Sequence, residues 1–305
     1  MPRHILILCL CWLVTSPAWA EGVIHLILSD QSGAYQEAAE AFRDGVGQRQ
    51  VVKIWALADL GASQVQSMTR TDDLVVPVGV KAARFIAEHH AGQAAVLSLM
   101  IPRAVSEKLQ WPVSLGRKKI SAVYIDQLAN RSLGLIAAAF PAARRVGLLI
   151  SSENAAVAKL LIQEAVRHNL KLNMETVDAA DDVAPALRRV LPDSDLLLLV
   201  PDAIAINAGN AQNVLLTTYR FRVPVIGFSQ GLSKAGAVAS VYSSPAQIGS
   251  QGAWMATRWL QGGELPPPQH AGEFSIAFNS HVARSLGVLL PKEDDIRRKL
   301  GAQSE

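Results

Sequence analysis

Residues 195–229, DLLLLVPDAIAINAGNAQNVLLTTYRFRVPVIGFS, carry the pattern that decides the fold. The leucine run at 195–200 predicts a buried strand, 210–220 has the apolar spacing of a helix, and 223–228 predicts a second buried strand. Strands that are apolar on both faces and alternate with helices are typical of a parallel sheet covered on both sides. The stretch therefore predicts an α/β fold.

The same alternation precedes this stretch in two rounds. The first round predicts strands and helices in the order 22–29, 34–46, 51–58, 73–78, 81–89, 94–100, 120–125 and 132–140. The second round begins with strand 145–150, helix 155–168, strand 171–177 and helix 183–191. A chain of 305 residues exceeds what one hydrophobic core usually serves. We therefore predict two doubly wound, Rossmann-like lobes.

The last segments, at 237–242, 245–260, 274–278 and 281–286, are too few to build a third core, so we expect them to complete the two existing sheets. The chain would then cross between the lobes near 126–130, 229–238 and 265–272, which makes a three-strand hinge. The predicted division is an N-terminal lobe of residues 21–126 plus 237–264 and a C-terminal lobe of residues 127–236 plus 265–305. Open α/β sheets bind ligands at the carboxyl ends of their strands, so a ligand cleft is expected between the lobes.

Residues 1–20 have the features of a signal peptide. Arg3 gives a basic start, 5–14 is an unbroken apolar run, and Ala18 and Ala20 supply the small residues that a signal peptidase reads. The apolar run is too short to span a bilayer, which takes about 20 residues. We therefore expect cleavage after Ala20 and export to the bacterial periplasm.

Both cysteines, Cys9 and Cys11, belong to this removable segment. The exported chain would have neither a disulfide nor a cysteine metal ligand, which suits an oxidising compartment. Because Glu21, not cysteine, follows the cleavage point, we expect no lipid anchor.

Charge and motifs argue against several function classes. Lys and Arg number 29 against 26 Asp and Glu, and the basic residues are scattered, so no basic stripe for nucleic acid is present. The histidines do not form a spaced pair on one helical face, and no glycine-rich phosphate loop follows a strand. We expect neither a metal nor a cofactor.

Polar residues at strand ends and near the hinge are the candidate ligand contacts. A helix that begins at such a loop offers free N–H groups to an anion, and Asp30 and Asp202 could pair with a ligand ammonium from opposite lobes. Helix capping and turn formation are the alternative roles. The candidates are Asp30, Ser32, Gly79, Ser98, Ser151, Asn154, Asp202, Ser229, Gln230 and Tyr242.

Residues 227–231, GFSQG, match the G-x-S-x-G elbow of serine hydrolases. A triad on Ser229 would need an acid and then a histidine, which Glu264 or Glu273 and His270 or His281 could nominally supply. The elbow comes late in the chain, and the HGGG-type oxyanion segment is missing. A hydrolase remains an alternative, but we expect the protein not to be an enzyme.

A set of motifs beginning in the opening stretch carries a family resemblance. DLLLLVPD (195–202), RVPVIGFSQGLSKAGAVASVYSSPAQIG (222–249), WLQGGELPP (259–267) and FSIAFNSHVARSLGV (274–288) follow one another. In this order they resemble the substrate-binding proteins of a bacterial ABC-transporter family with the type I periplasmic-binding fold. FPAARRVGLLIS (140–151) resembles the entry into the second lobe. Two segments depart from the family pattern on or near the cleft side of the first lobe, MIPRAVSEKLQ (100–110) and LGRKKISAVYID (115–126).

The resemblance implies a periplasmic solute-binding protein, acting as a monomer, that closes its lobes over a small polar metabolite. An amino-acid-like or other small organic ligand is expected, with an inner-membrane permease as partner. The alternative is a ligand-sensing subunit that signals to a membrane partner such as a sensor kinase. The sequence leaves both readings open.

Overall fold

A computed structural model gives the fold and describes residues 22–68, 70–90, 92–207 and 209–301. The expected signal peptide, with both cysteines, lies outside the described residues. The strands are β1 Ile24–Leu28, β2 Val52–Ala56, β3 Leu74–Val78, β4 Ala95–Ile101, β5 Ile120–Tyr124, β6 Arg145–Ile150, β7 Lys171–Thr176, β8 Leu196–Leu198, β9 Val225–Gly227, β10 Ala239–Tyr242, β11 Gln269–His270 and β12 Ser275–Phe278.

The helices lie between these strands and at the end of the chain. They are α1 Gly33–Val46, α2 Ala62–Ser67, α3 Val80–His89, α4 Arg103–Ser106, α5 Ala129–Ala139, α6 Ala155–Arg167, α7 Val183–Val190, α8 Ala211–Arg220, α9 Gln230–Ala235, α10 Pro245–Gly262, α11 Ser280–Leu286 and α12 Glu293–Gly301. Short 3-10 turns lie at Leu57–Asp59, Val113–Leu115, Arg117–Lys119, Ser152–Asn154, Ala180–Asp182 and Leu191–Asp193. In the part of the chain that the structure describes, no helix combines the length and apolar character needed to cross a membrane.

The strands form two six-stranded sheets. The first has the order β11-β5-β4-β3-β1-β2 and is parallel throughout. The second has the order β12-β10-β9-β8-β6-β7, and only β12 runs antiparallel to its neighbour. The prediction of two α/β lobes with mostly parallel sheets is confirmed.

Each sheet is covered on both faces, which is why its central strands are apolar on both sides. In the first lobe Phe42 of α1 and Trp259 of α10 pack on one face, and Ile86 of α3 on the other. In the second lobe Leu133 of α5 packs on one face with α6 and α12, and Leu187 of α7 packs on the other with α8 and α9. Strands β1, β3 and β4 are buried along their whole length.

The residues of two short strands belong to the other lobe from the one to which the sequence assigned them. β10 belongs to the second sheet, because the turn at Gly236 (φ 140°) brings the Val238 N–H to the Val225 carbonyl, beside β9. β11 belongs to the first sheet, because the preceding connector runs along β5. There the Ser121 hydroxyl bonds the Pro266 carbonyl at 2.5 Å. The predicted boundaries at 237 and 265 are therefore displaced.

The chain crosses between the lobes three times, as predicted, at residues 125–128, 243–244 and 271–274. The second crossing lies later than the expected 229–238. Gln127 Nε2 donates to Ser243 Oγ at 3.0 Å, and Ser243 Oγ donates to the Glu273 carbonyl at 2.7 Å. These hydrogen bonds join the three crossing segments into one polar hinge.

Candidate functional site

A cavity of about 750 Å³ opens between the lobes, and both lobes contribute to its walls. We call it the main cavity. It lies at the carboxyl ends of both sheets, where open α/β folds bind ligands. The first lobe contributes Tyr35, Val80, Arg84, Met100, Pro102, Ala104, Val105 and Ile125. The second contributes Ser151, Glu153, Asn154, residues 201–204, Ile206, Asn207, Ala211, Phe228, Ser229, Gly231, Leu232 and Ala235.

Asp202 organises the second-lobe wall. Its Oδ2 accepts the Ser151 N–H at 2.7 Å, the Ser151 hydroxyl at 2.8 Å and the Asn154 side-chain amide at 2.7 Å. Its Oδ1 accepts the N–H groups of Ile204 at 3.0 Å and Ala205 at 2.9 Å. Burial opposes ionisation, but the Ala205, Ser151 and Asn154 hydrogen bonds outweigh it and lower the pKa of Asp202. The carboxylate thus fastens the loop after β6 to the loop after β8.

The expected pairing of a ligand ammonium by Asp30 and Asp202 does not fit this geometry. Asp202 is 4% exposed, and five protein donors already occupy its oxygens. Asp30 is exposed and outside the cavity wall, and its Oδ1 accepts the Ser32 N–H at 2.8 Å. Both carboxylates instead shape loops at the ends of strands.

Ser229 lies in the wall as a helix cap. Its Oγ accepts the Leu232 N–H at 3.1 Å and so begins α9. Among the described residues, no histidine lines the main cavity beside it. The glycine on each side of the Phe-Ser-Gln turn therefore serves a strand-to-helix connection, and the hydrolase triad is not assembled at this cavity.

Four predicted site residues, Ser151, Asn154, Asp202 and Ser229, meet in the second-lobe wall. The remaining candidates do not line the main cavity. Ser98 is 2% exposed in the middle of β4, and Gln230 is exposed at the start of α9. Half-buried Tyr242 lies on β10, where burial first, and then Glu293, raise its pKa. Ser32 precedes α1 and is exposed.

Gly79 supports the wall without lining it. Its φ is 89°, and a Cβ there would come within 2.7 Å of the Tyr35 ring and 2.6 Å of the Ser29 hydroxyl. Only glycine leaves room for the Tyr35 ring at the start of α3. Ser29 Oγ in turn accepts the Ala82 N–H at 2.9 Å and donates to the Val78 carbonyl at 2.8 Å.

A strained bulge in β4 places part of the first-lobe wall. Met100 has φ 55°, and the register with β5 shifts between Leu99 and Ile101. A left-handed conformation is rare for a side chain of this size, and bulges often lie beside functional sites. Met100 and Pro102 both line the cavity, so the segment 100–110 does lie at the cleft, as its departure from the family pattern suggested.

A second, smaller cavity of about 280 Å³ lies beside the hinge. We call it the hinge chamber. Pro201 and Phe228 line both cavities, so the two are adjacent. Its polar lining residues are Arg103, Asp126, Gln127, Ser132 and His270, and its other walls are apolar, including Leu128, Val157, Leu161, Leu199 and Val200.

Asp126 is the buried acid of the hinge chamber, with 5% of its surface exposed. Burial raises the pKa of its carboxyl from 3.8 to about 6, although the Arg103 N–H, which Oδ2 accepts at 2.6 Å, acts in the opposite direction. The Arg103 guanidinium points instead to Glu107, with Nε 2.7 Å from the carboxylate. Asp126 was not among the predicted site residues.

His270 faces the chamber as a neutral ring. Burial, followed by the charges of Arg103 and Arg131, lowers its pKa to about 4. The ring stacks edge-on against Tyr124, with 5.3 Å between centroids. Over the described residues, no cluster of three or more His, Cys, Asp or Glu side chains is placed to hold a metal ion.

Comparison with known proteins shows which family and which solved structures this chain is similar to. A family model described as ABC transporter substrate binding protein matches residues 56–296. An ABC domain in complex with L-Trp from Streptococcus pneumonia aligns with a TM-score of 0.67 at 18% identity, covering 90% of this chain and 98% of that chain. The ligand-free, open structure of a substrate binding protein with adhesive properties from Clostridium difficile aligns with a TM-score of 0.69 at 17% identity, covering 90% and 97%.

A periplasmic ribose ABC transporter protein from Conexibacter woesei aligns more loosely. Its TM-score is 0.59 at 12% identity, and the match covers 88% of this chain and 95% of that chain. At such identities the structural matches establish the fold, which is that of type I periplasmic binding proteins. No curated protein matches the sequence significantly.

Proposed function

Since the chain belongs to the ABC transporter substrate binding protein family, we propose that it captures a small polar metabolite in the main cavity and presents it to an ABC-type permease. The observation that carries the proposal is the main cavity itself, because both lobes build its walls beside a three-strand hinge. A ligand that touches both walls stabilises the closed arrangement by its differential affinity for that state.

The cavity lining supports a small organic ligand of amino-acid-like character. Apolar Val80, Met100 and Ile206 offer contact area, and Asn154 and Ser229 lie at the polar wall. The Arg84 guanidinium is exposed at the first-lobe wall, where it could meet a carboxylate. A structural relative holds L-Trp and another is a ribose transporter protein, so the same fold accepts both kinds of ligand.

The place and mode of action follow from the family and the sequence. Proteins of this family act outside the cytoplasm, and residues 1–20 have the features of a signal peptide. We propose export to the periplasm, action as a monomer, and solute binding without catalysis. The role of Ser229 as the cap of α9 supports binding without catalysis, since its hydroxyl accepts a backbone N–H at 3.1 Å.

Ligand capture is tested by thermal shift on residues 21–305 against amino acids, purines, small carboxylates and sugars. A ligand at a hundred times its Kd stabilises by about 2.7 kcal/mol, which raises Tm by several degrees. Ala203 lies in the second-lobe wall, so Ala203→Trp fills the cavity and should abolish the shift.

Val113→Trp is the matched control, because Val113 is 98% exposed and outside both cavities. It should keep the full response. A folded protein that responds to none of the panel, or an Ala203→Trp variant that responds like the wild type, would contradict solute capture in the main cavity.

A further inference from the structure

We propose that Asp126 in the hinge chamber binds a cationic nitrogen of the ligand, so that the captured metabolite is an amine with an apolar body. The inference rests on the proposed function and names its ligand class. It concerns a carboxylate in the chamber wall, away from the polar second-lobe wall of the main cavity.

The first support is that the buried acid has no direct ion pair. Asp126 is almost fully buried, yet its carboxylate forms no ion pair with any basic side chain among the described residues. Arg103 gives it a backbone N–H at 2.6 Å but directs its guanidinium to Glu107 at 2.7 Å. Burying a carboxylate without a partner charge is costly. The charge of Arg103 acts on the acid only from beyond ion-pair distance, so a ligand cation would supply the direct ion pair that the protein lacks.

The second support is the chemistry of the chamber. Leu128, Val157, Leu161 and Phe228 supply apolar surface to the same chamber wall as the acid. In such surroundings the attraction between a carboxylate and a cationic nitrogen is stronger than in water. His270 does not compete as a cation, because its lowered pKa of about 4 keeps the ring neutral at physiological pH.

The third support is the position of the acid between the two cavities. Ile125 lines the main cavity and Asp126, the next residue, lines the hinge chamber. Pro201 and Phe228 belong to both walls. A ligand can therefore place its nitrogen at Asp126 and the rest of its body toward the main cavity, next to the hinge that must close.

The charge state of Asp126 makes the inference testable by pH. The charged or titratable groups around the acid are Arg103, Glu107, Tyr124, Arg131 and His270. Of these, His270 is already neutral, and the raised pKa values of Arg103 and Tyr124 keep both groups in one charge state between pH 5 and 8. Since a cation prefers the ionised acid, binding below pH about 6 must expel a proton. The Kd of an amine should then rise about tenfold per pH unit below that value.

The experiment is calorimetric titration with matched pairs that differ by one amino group, L-tryptophan with indole-3-propionate and L-leucine with 4-methylpentanoate. Putrescine and D-ribose complete the set. We expect at least one amine to bind, its desamino partner to bind at least about thirtyfold more weakly, and Asp126→Asn to weaken the amine by a similar factor. Asp30→Asn is the control, because Asp30 is an exposed first-lobe aspartate outside both cavities.

The outcomes separate this inference from the proposed function. Binding of D-ribose or a desamino acid alone, or full amine affinity in Asp126→Asn, overturns the cationic ligand and leaves solute capture intact. Binding of no probe by folded protein overturns both. Should Asp126→Asn fail to fold, the wild-type pH profile decides. An amine whose Kd is unchanged between pH about 7.5 and about 5 contradicts the role of Asp126.

Discussion

Asp126 and Asp202 are both buried at the carboxyl ends of strands, yet their environments shift the pKa of the carboxyl in opposite directions. Five protein donors hold Asp202 ionised and bind two loops together. Burial raises the pKa of Asp126, and its backbone N–H partners offset this only in part. Acids with strongly perturbed pKa values concentrate at functional sites, because such sites use burial and nearby charges to tune their titratable groups.

The cost of Asp126 to folding can be measured directly. Its carboxyl titrates near 3.8 when exposed and near 6 in the folded protein, so the folded state loses stability as pH rises from about 4 to about 6. Above pH about 6, the buried ionised carboxyl lowers the free energy of unfolding by at most about 3 kcal/mol. Asp126→Asn should therefore raise the free energy of unfolding of the ligand-free protein at pH about 7.5.

Urea unfolding at pH about 7.5 and about 4 checks this expectation. The advantage of Asp126→Asn should shrink at the lower pH, where the wild-type acid is protonated in the folded protein. A variant that is less stable than the wild type at neutral pH would show that the ionised acid has a stabilising partner.

At this scale the sequence indicated some residues of the main-cavity wall. Ser151, Asn154 and Ser229 follow strands, and the structure places all three in that wall, while their contact with a ligand stays a prediction. Asp126 follows β5 and obeys the same rule, but it was considered only as part of a crossing. The full set of Asp202 hydrogen bonds could not be predicted, because the donors on Ser151 and Asn154 lie in a different loop, distant in the sequence.

At the scale of elements, α1 and α10 approach each other unusually closely. A Cβ on Gly249 of α10 would come within 2.2 Å of the Ala38 carbonyl oxygen of α1, and one on Gly45 within 2.6 Å of the Ala253 side chain. Small residues on both helices permit this contact, which fixes α10 to the first lobe.

Gly249→Ala should destabilise the protein by about 1–3 kcal/mol, since the added methyl meets backbone that cannot move aside cheaply. Gly262 in the same helix has open space around its Cβ position. Gly262→Ala should be neutral or stabilise by up to about 1 kcal/mol through helix propensity. Thermal unfolding measures the stability change in each variant. Equal changes in Gly249→Ala and Gly262→Ala would mean that the helices do not touch at Gly249.

The existence of most elements could be predicted, but the sheet membership of the short ones could not. Apolar runs such as 237–242 satisfy either sheet equally, since both sheets are buried on both faces. The deciding interactions are the backbone pairings of β10 with β9 and β12, including the Val238 N–H to Val225 carbonyl bond at 2.8 Å, and the apolar pattern does not encode them.

At the scale of the whole molecule, the hinge is held on one side by a buried arginine. Arg131 of α5 donates to the carbonyls of Ala271 and Gly272 at 2.7 Å each, and its guanidinium lies 4.7 Å from the centre of the Phe274 ring. The second lobe is thereby fixed to the third crossing.

Among the residues that the structure describes, one ion pair joins the two lobes. Lys108 Nζ of the first lobe lies 3.8 Å from Glu153 Oε1 of the second. Both side chains are more than half exposed, so the pair contributes at most about 1 kcal/mol and is screened by salt. Because it exists only when the lobes face each other, it should favour closure.

Lys108→Gln removes the pair without altering the cavity wall, and we expect it to weaken ligand binding by up to about fivefold at low ionic strength. The difference should vanish at about 1 M salt, where charges separated by more than about 3 Å are screened. Lys118→Gln is the control, since Lys118 pairs with Glu264 at 2.6 Å within the first lobe and should leave the affinity unchanged. If Lys108→Gln binds as tightly as the wild type at low salt, closure depends on the ligand alone and this pair is incidental to it.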